Sequence, residues 1–364
     1  MKITKLKLTN FRNYNSVEVV FNDNINYVVG KNAQGKTNLV EPIYIISTLK
    51  SFRNSKLVDC INENEAFAKI EADVYSLNFG KKKIKYIINR EGENEFYVNE
   101  NKITHKRDMY SHCYSVVFSP DELKLVKGSP DIRREFLDID ICQVSKVYSD
   151  LIDRYEKILQ SRNRLLKFGK NSTNLNIELD VWDEQLALVG SQIAKARANF
   201  VAKISENAKS VMQRLSGGKE LLTIEYIGLK GETREEKTEE FLKELKAQRS
   251  KDIELGYTSV GVHRDDLKFF INNLEVKPYA SQGQQRSVVL ALKLAEMETI
   301  KTESEEPTLI LDDVFSELDT TRQRLLIDYL STKQVFITST NSKNLGGINH
   351  SKIRVKNAQI SIES

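Results

Sequence analysis

The octapeptide GKNAQGKT at positions 30–37 has the residue types and spacing that bind a phosphate chain. Glycines at 30 and 35 permit backbone angles that turn successive N–H groups onto an anion, and a helix opening behind the loop adds positive potential. Lys36 is placed to reach the β- and γ-phosphates of a nucleoside triphosphate, and the Thr37 hydroxyl to bind Mg²⁺. The nucleotide-binding set is therefore Gly30, Lys31, Asn32, Ala33, Gln34, Gly35, Lys36, Thr37 and the following Asn38. Far along the chain, TLILDD at 308–313 ends in adjacent carboxylates, Asp312 and Asp313. One acid can hold Mg²⁺ while the second orients or deprotonates an attacking water. An apolar strand ending in aspartate is common, but joined to the glycine loop it points to Asp312 as a metal ligand, and to Lys36 and Asp313 as catalytic residues.

These residues need a strand in front of the loop and a helix behind it. The β-branched run INYVV at 25–29 supplies a buried strand, and residues 39–49 a mostly apolar helix in which Pro42 is tolerated only in the first turn. Residues 1–30 alternate as three strands, with Arg12 and Asn13 in the first turn. That turn can bring Arg12 and Asn13 to the nucleotide, or leave Arg12 a surface arginine. Strands follow at 68–77, 82–89 and 95–98, and the run Lys81, Lys82, Lys83 with Lys85 reads either as a solvated sheet edge or as a contact to a phosphate backbone.

After a strand at 115–118 the periodicity becomes helical from 131 to 168, and a polar loop covers 169–176. A second helix carries Leu179, Trp182, Leu186, Val189, Ile193, Ala196 and Phe200, a seam of about three heptads. Two helices joined by a short loop must pair antiparallel, so an inserted helical arm is expected, with Arg162 and Arg164 on its solvated face. Residues 221–227 read as a return strand and 231–250 as a charged surface helix. His263, Arg264, Asp265 and Asp266 read as a structural ion-pair cluster, since His263 has no second metal-type ligand at helical spacing. Ser281 is a good helix cap, and Gly283 behind it allows close approach of another group.

A chain of 364 residues, 40% hydrophobic and 29% charged, suits a two-domain globular protein, and the formal net charge of +4 is too small to announce a nucleic-acid partner by itself. The cysteines, Cys60, Cys113 and Cys142, show no metal-binding spacing and fit free thiols in a reducing cytoplasm. MKITKLKLTNF lacks a signal-peptide core, and no apolar run spans a bilayer, so a cytoplasmic protein is expected.

In order, the glycine loop, SQGQQR at 281–286, the LILDD strand and SELD at 316–319 resemble the ABC-type ATPases, with 281–284 as signature loop and 316–319 as D-loop. A helical arm between the first two resembles the SMC branch. PDELKLVKGSPDIRREFLD at 120–138, LILDDVFSELDTTRQRLL at 309–326, NFRNY and GVHRDD look like motifs of the RecF family, and the resemblance covers essentially the whole chain. It implies an α/β fold: an ABC-type, SMC-like P-loop ATPase head formed by residues 1–118 and 256–364, with 119–255 as the inserted coiled-coil-like domain. It implies ATP and Mg²⁺ as cofactors, slow hydrolysis, an ATP-dependent homodimer, binding of single-stranded and duplex DNA at gaps, and RecR- and RecO-type partners. Under it, Ser281, Gln282, Gly283 and Gln284 meet the γ-phosphate of the opposite subunit, and Asp313 stands where most ABC ATPases have a catalytic glutamate. Two positions depart from the pattern: Val262 replaces the proline of GPHRDD, and Ser339-Thr340 stand where many ABC ATPases carry a switch histidine. Two other readings stand beside it: an ATP-gated DNA scaffold whose hydrolysis is incidental, and a transporter ATPase subunit, which the arm and SQGQQ in place of LSGGQ disfavour.

Overall fold

The computed structural model describes residues 1–53, 55–77, 79–169, 172–303, 305–314, 318, 322–323, 326, 329–330, 333–340 and 350–363. In chain order, the first part runs β1 (Lys2–Phe11), β2 (Tyr14–Val20), β3 (Ile25–Val29), α1 (Lys36–Thr48), β4 (Phe67–Ser76), β5 (Gly80–Asn89), β6 (Glu95–Val98), β7 (Asn101–Ile103), α2 (Lys106–Met109) and β8 (Ser115–Phe118). The middle part runs α3 (Lys124–Lys127), α4 (Pro130–Val144), α5 (Lys146–Phe168), α6 (Leu175–Ser216), β9 (Leu222–Ile227), α7 (Arg234–Leu255), β10 (Asp266–Ile271), β11 (Leu274–Glu275), α8 (Val276–Tyr279) and α9 (Gln282–Ile300). Then come β12 (Thr308–Asp312), β13 (Val335–Ser339), β14 (His350–Lys356) and β15 (Gln359–Glu363). The chain divides into two compact units, Met1–Leu123 with Val289–Ser364, and Lys124–Val288.

The first unit holds two sheets. One has the order β15-β14-β3-β13-β12-β8, parallel except for the antiparallel edge strand β15. Every residue of β3, β12 and β8 is buried, as expected where an apolar run sits inside a parallel sheet. Placing β13 between β3 and β12 brings three strand ends together. The other sheet, β2-β1-β4-β5-β6-β7, is antiparallel and alternates buried with exposed positions along β4 and β5, so one face packs and the other meets water. Helix α1 packs against β8, β12 and β13. It begins earlier than its periodicity suggests, so Pro42 lies mid-helix rather than in the first turn. Burial of nearly the whole helix offsets the lost backbone bond.

In the second unit α5 and α6 pair as expected, and Leu179, Leu186, Val189, Ile193 and Phe200 are buried along the seam. Helix α7 packs on α6 as well, and this overturns the expectation for Arg162. Its side chain is fully buried, not solvated. Nε donates to Asp183 Oδ1 at 2.6 Å, and Nη1 to Asp252 Oδ2 at 2.9 Å and Thr258 Oγ1 at 2.8 Å. Both aspartates are themselves fully buried, and Arg249 also bonds Asp183 at 2.6 Å, so two guanidinium groups compensate the two carboxylates.

Asp265 and Asp266 form ion pairs as expected, but with Arg197 and Arg133, while Arg264 donates to the Thr258 carbonyl. The cluster joins two of the stretches that carry the family resemblance. Arg133 of α4 forks onto Asp266 at 2.6 and 3.0 Å, and Arg134 donates to the Asp265 carbonyl at 2.8 Å. Arg197 bonds Asp265 and Asp138. Burial pushes the Asp265 carboxyl up to about 6 and His263 down to about 4. A neutral His263 thus bridges the Tyr155 hydroxyl and the Thr258 carbonyl at 2.9 and 3.0 Å. The antiparallel sheet β11-β10-β9 joins this unit, so residues 256–288, expected in the ATPase part, belong to the helical unit's compact body.

Candidate nucleotide site

The glycine loop leaves β3 and enters α1 through Gly35, whose φ of 111° only glycine adopts readily. A Cβ there would also lie 2.9 Å from Asn13 Nδ2 and 3.0 Å from the Tyr14 hydroxyl. Gly30 is required by proximity: a Cβ would stand 2.3 Å from the Val355 carbonyl oxygen. The loop is held from outside. Asn357 N–H donates to Gln34 Oε1 at 2.6 Å, Ala358 N–H to Gln34 O at 3.2 Å, and the Tyr14 hydroxyl to Gly35 O at 3.0 Å. The N-cap position of α1 is Gly35, which has no side chain to cap it, and the first turn carries no acid, which suits the helix start to an anion.

An open cavity of about 420 Å³ sits at this helix start. Of the residues expected to bind nucleotide, Asn13, Asn32, Ala33, Gly35, Lys36, Thr37 and Asn38 line it, together with Asp313, expected as a catalytic residue. Gly30, Lys31 and Gln34 build the loop behind the lining, and Lys36 Nζ donates to the Lys31 carbonyl at 2.9 Å. Burial lowers the Lys36 pKa, opposed by the charges of Asp313 and Asp312. Such a cation gains when an anion arrives.

The two acids sit where β12 ends. Thr37 Oγ1 donates to Asp312 Oδ1 at 2.8 Å across 275 residues of chain. Thr338 Oγ1 donates to the same oxygen at 2.7 Å and accepts from Asp313 N–H at 3.0 Å. Burial still raises the Asp312 carboxyl. Asp313 takes a positive φ of 55°, a strained angle that turns it out of the strand toward the cavity. One hydroxyl and one carboxylate in contact are a fitting donor set for Mg²⁺, which keeps waters and takes its other ligands from substrate phosphates. Among the described residues no group of three or more His, Cys, Asp or Glu could hold a metal ion without a substrate.

Two cavity residues escaped the sequence reading. Arg53 lines the cavity and donates to Asn38 Oδ1 at 2.8 Å, and Asn38 in turn donates to Asn13 Oδ1 at 2.8 Å. Its signal was the polar, basic turn after α1. Thr338 was hidden, because only strand order sets it beside Asp312.

Arg12 does not line the cavity. Its Nε and Nη2 fork onto Glu41 at 3.0 and 2.6 Å, Nη2 also donates to Ser55 Oγ at 2.7 Å, and Nη1 donates to the Asp59 carbonyl at 2.7 Å. Glu41 is fully buried. Ser51 Oγ also donates to Glu41, but Arg12→Ala leaves the buried carboxylate without its counter-charge, so a loss of about 3 kcal/mol in urea unfolding is expected, far beyond a surface arginine's effect. An unchanged midpoint would return Arg12 to the surface reading.

The signature-type residues lie in the second unit. Ser281, Gln282 and Gly283 are exposed, and Gln284 is half-buried. Ser281 Oγ accepts from Gln284 N–H at 3.2 Å, while Gln284 Oε1 accepts from Ser281 N–H at 2.9 Å, a reciprocal cap. Of the D-loop stretch, Ser316, Glu317 and Asp319 lie outside the described residues.

The family described as RecF/RecN/SMC N terminal domain matches residues 2–362. The DNA replication and repair protein RecF of Alkaliphilus oremlandii is 41% identical over 350 residues, 95% of each chain. A solved structure of the recombination mediator protein RecF with ATP, in the RecFOR pathway, superposes with a TM-score of 0.94 at 32% identity, covering 100% of this chain and 98% of its own. An Smc head domain from Pyrococcus furiosus shares the fold, with a TM-score of 0.56 at 16% identity, covering 100% of this chain and 96% of its own. With a phosphate loop, paired acids and an arm-bearing second unit in this order, and a relative this close over nearly its full length, the chain belongs to the RecF family of SMC-like ATPase heads.

Proposed function

We propose that this protein is an ATP-gated, DNA-binding protein of recombinational repair and replication, a dimeric clamp that hydrolyses ATP slowly. The observation that carries the reading is the bond from Thr37 to Asp312, which joins the phosphate loop to the paired acids in one cavity. The ATP-bound relative supports ATP as the nucleotide.

Lys36 exchanges the Lys31 carbonyl for phosphate oxygens when ATP enters, and the loop N–H groups and the start of α1 hold the β-phosphate side. Arg53, at the cavity wall, adds a second cation. Thr37 and Asp312 would hold Mg²⁺, and the ion would supply neutralising charge for the phosphates. Asp313 faces the cavity with its backbone fixed by Thr338, and orients and deprotonates the attacking water. Turnover is slow because β13 ends in Thr338 and Ser339, and Thr340 follows, where many ABC ATPases carry a switch histidine.

The site needs a second chain. Gly283 has extended space around it: among the described residues a Cβ would meet only Ser281 Oγ, at 3.9 Å. Nothing among the described residues requires glycine there, which favours close approach by an external group. ATP bound to one protomer, met by residues 281–284 of another, gives a dimer that grips single-stranded and duplex DNA at gaps. RecO- and RecR-type mediators, recombinase loading, the SOS response and a cytoplasmic location complete the reading. Among the described residues no helix is long and apolar enough to cross a membrane.

Asp313→Asn tests it. The amide keeps shape and hydrogen bonding but loses the base, so single-turnover hydrolysis should fall at least about a hundredfold while ATP still binds. The trapped species should accumulate as dimer. Hydrolysis at the unmodified rate would place the base elsewhere.

A further inference from the structure

The Gln284 amide has only one orientation that serves the cap at Ser281, and a residue far away in sequence selects it. Gln284 Oε1 accepts from Ser281 N–H, and Gln284 Nε2 donates to Glu220 Oε1 at 2.9 Å. A carboxylate can only accept, so it rejects the flipped amide, which would set two oxygens face to face. Glu220 is itself fixed from two sides. It follows the end of α6, where Gly217 takes a left-handed φ of 60°, and its N–H donates to Ser216 Oγ at 3.0 Å. The turn residue Asn272 clamps the neighbours, donating to the Lys219 carbonyl at 3.2 Å and accepting from Leu221 N–H at 2.9 Å.

The consequence lies at the Ser281 hydroxyl. The cap uses its oxygen as acceptor from Gln284 N–H, which leaves the hydroxyl hydrogen to be donated onward. We infer that Glu220 is a positioning residue for the signature loop: it locks the Gln284 amide so that Ser281 presents its hydroxyl hydrogen to the γ-phosphate held by a second protomer. This rests on the proposed role of residues 281–284. It also ties the loop to the C-terminal end of the 42-residue helix α6, so the arm and the phosphate contact share one hydrogen bond.

The test compares full-length Glu220→Gln, Glu220→Ala and Glu220→Lys, reading the ATP concentration for half-maximal dimerisation by light scattering and protomer ATP affinity by calorimetry. Glutamine can still accept from Gln284 but can also donate to the flipped amide, so it keeps the hydrogen bond, loosens the lock and should fall between the unmodified chain and alanine. Alanine should raise the required ATP on the order of tenfold, the effect of a lost charge-assisted hydrogen bond. Lysine can only donate, selects the flipped amide, and should be worse than alanine. Protomer ATP affinity should not move in any of them. A mere electrostatic role predicts the reverse for lysine, since a cation beside the loop attracts phosphate. The inference is overturned if Glu220→Lys dimerises as well as or better than Glu220→Ala, if Glu220→Gln is as poor as Glu220→Ala, or if all three match the unmodified chain. Ser281→Arg separates the two levels. If it still dimerises with ATP, the role of the loop fails and this inference with it; if it does not, while Glu220→Ala dimerises normally, this inference alone fails.

Discussion

A Lys36→Ala chain folds normally and loses ATP affinity on the order of a hundredfold or more. The residue is 7% exposed, and its ammonium donates to the Lys31 carbonyl and feels the charges of Asp313 and Asp312. Burial lowers its pKa, which means the charged form is disfavoured in the folded protein at any pH below its ordinary value near 10.5. Removing it relieves that penalty, so the thermal midpoint should hold or rise slightly. The same burial makes its attraction to a triphosphate stronger than an exposed lysine's, because the effective dielectric is lower. Affinity and stability should therefore move independently, affinity sharply down and stability not at all. Arg53 remains at the cavity wall, so residual weak binding is expected rather than none. Unchanged affinity in calorimetry would remove residues 30–37 from the phosphate site; a collapsed thermal midpoint would make Lys36 a structural residue.

What the sequence made legible was local. The phosphate loop and the paired acids each depend on a few consecutive residues, and their strands are uniformly buried, so spacing and hydropathy sufficed. Thr338 was not legible, because its bond to Asp312 depends on β13 entering the sheet between β3 and β12, and no single-strand pattern encodes strand order. Arg53 lies in a turn whose charge was visible but whose direction was not. Arg162 was misread for a related reason. A heptad reading of α6 finds the seam toward α5, but α7 brings Asp252 to the other side, and a residue taken as solvated becomes the centre of a buried network. Glu41 shows the limit again: an acid in an apolar helix looks anomalous until Arg12, itself at a positive φ of 52°, reaches it from the first turn.

Ser281→Arg should leave protomer ATP binding nearly unchanged and abolish both ATP-dependent dimerisation and turnover. The residue belongs to the second compact unit, whereas Lys36, Thr37, Asp312 and Asp313 all belong to the first. Protomer binding therefore has its own residues, and none of them is altered. Arginine cannot reproduce the cap to Gln284 N–H; a lost cap costs about 1 kcal/mol, too little to unfold the chain. What it does remove is room. Ser281, Gln282 and Gly283 are exposed, and the free volume around Gly283 is what a closely approaching phosphate would need. In a two-fold dimer the interface is isologous, so each protomer gives its phosphate loop to one site and its residues 281–284 to the other. One substitution then spoils both sites together. In that proposed dimer ATP would act as the adhesive, its γ-phosphate touching both chains, and ADP, lacking it, should leave protomers apart. DNA affinity should follow dimerisation, since two linked binding surfaces gain by avidity. Light scattering with ATP, ADP and no nucleotide reads the outcome directly. Dimers of Ser281→Arg formed with ATP would show that the γ-phosphate is closed by some other surface.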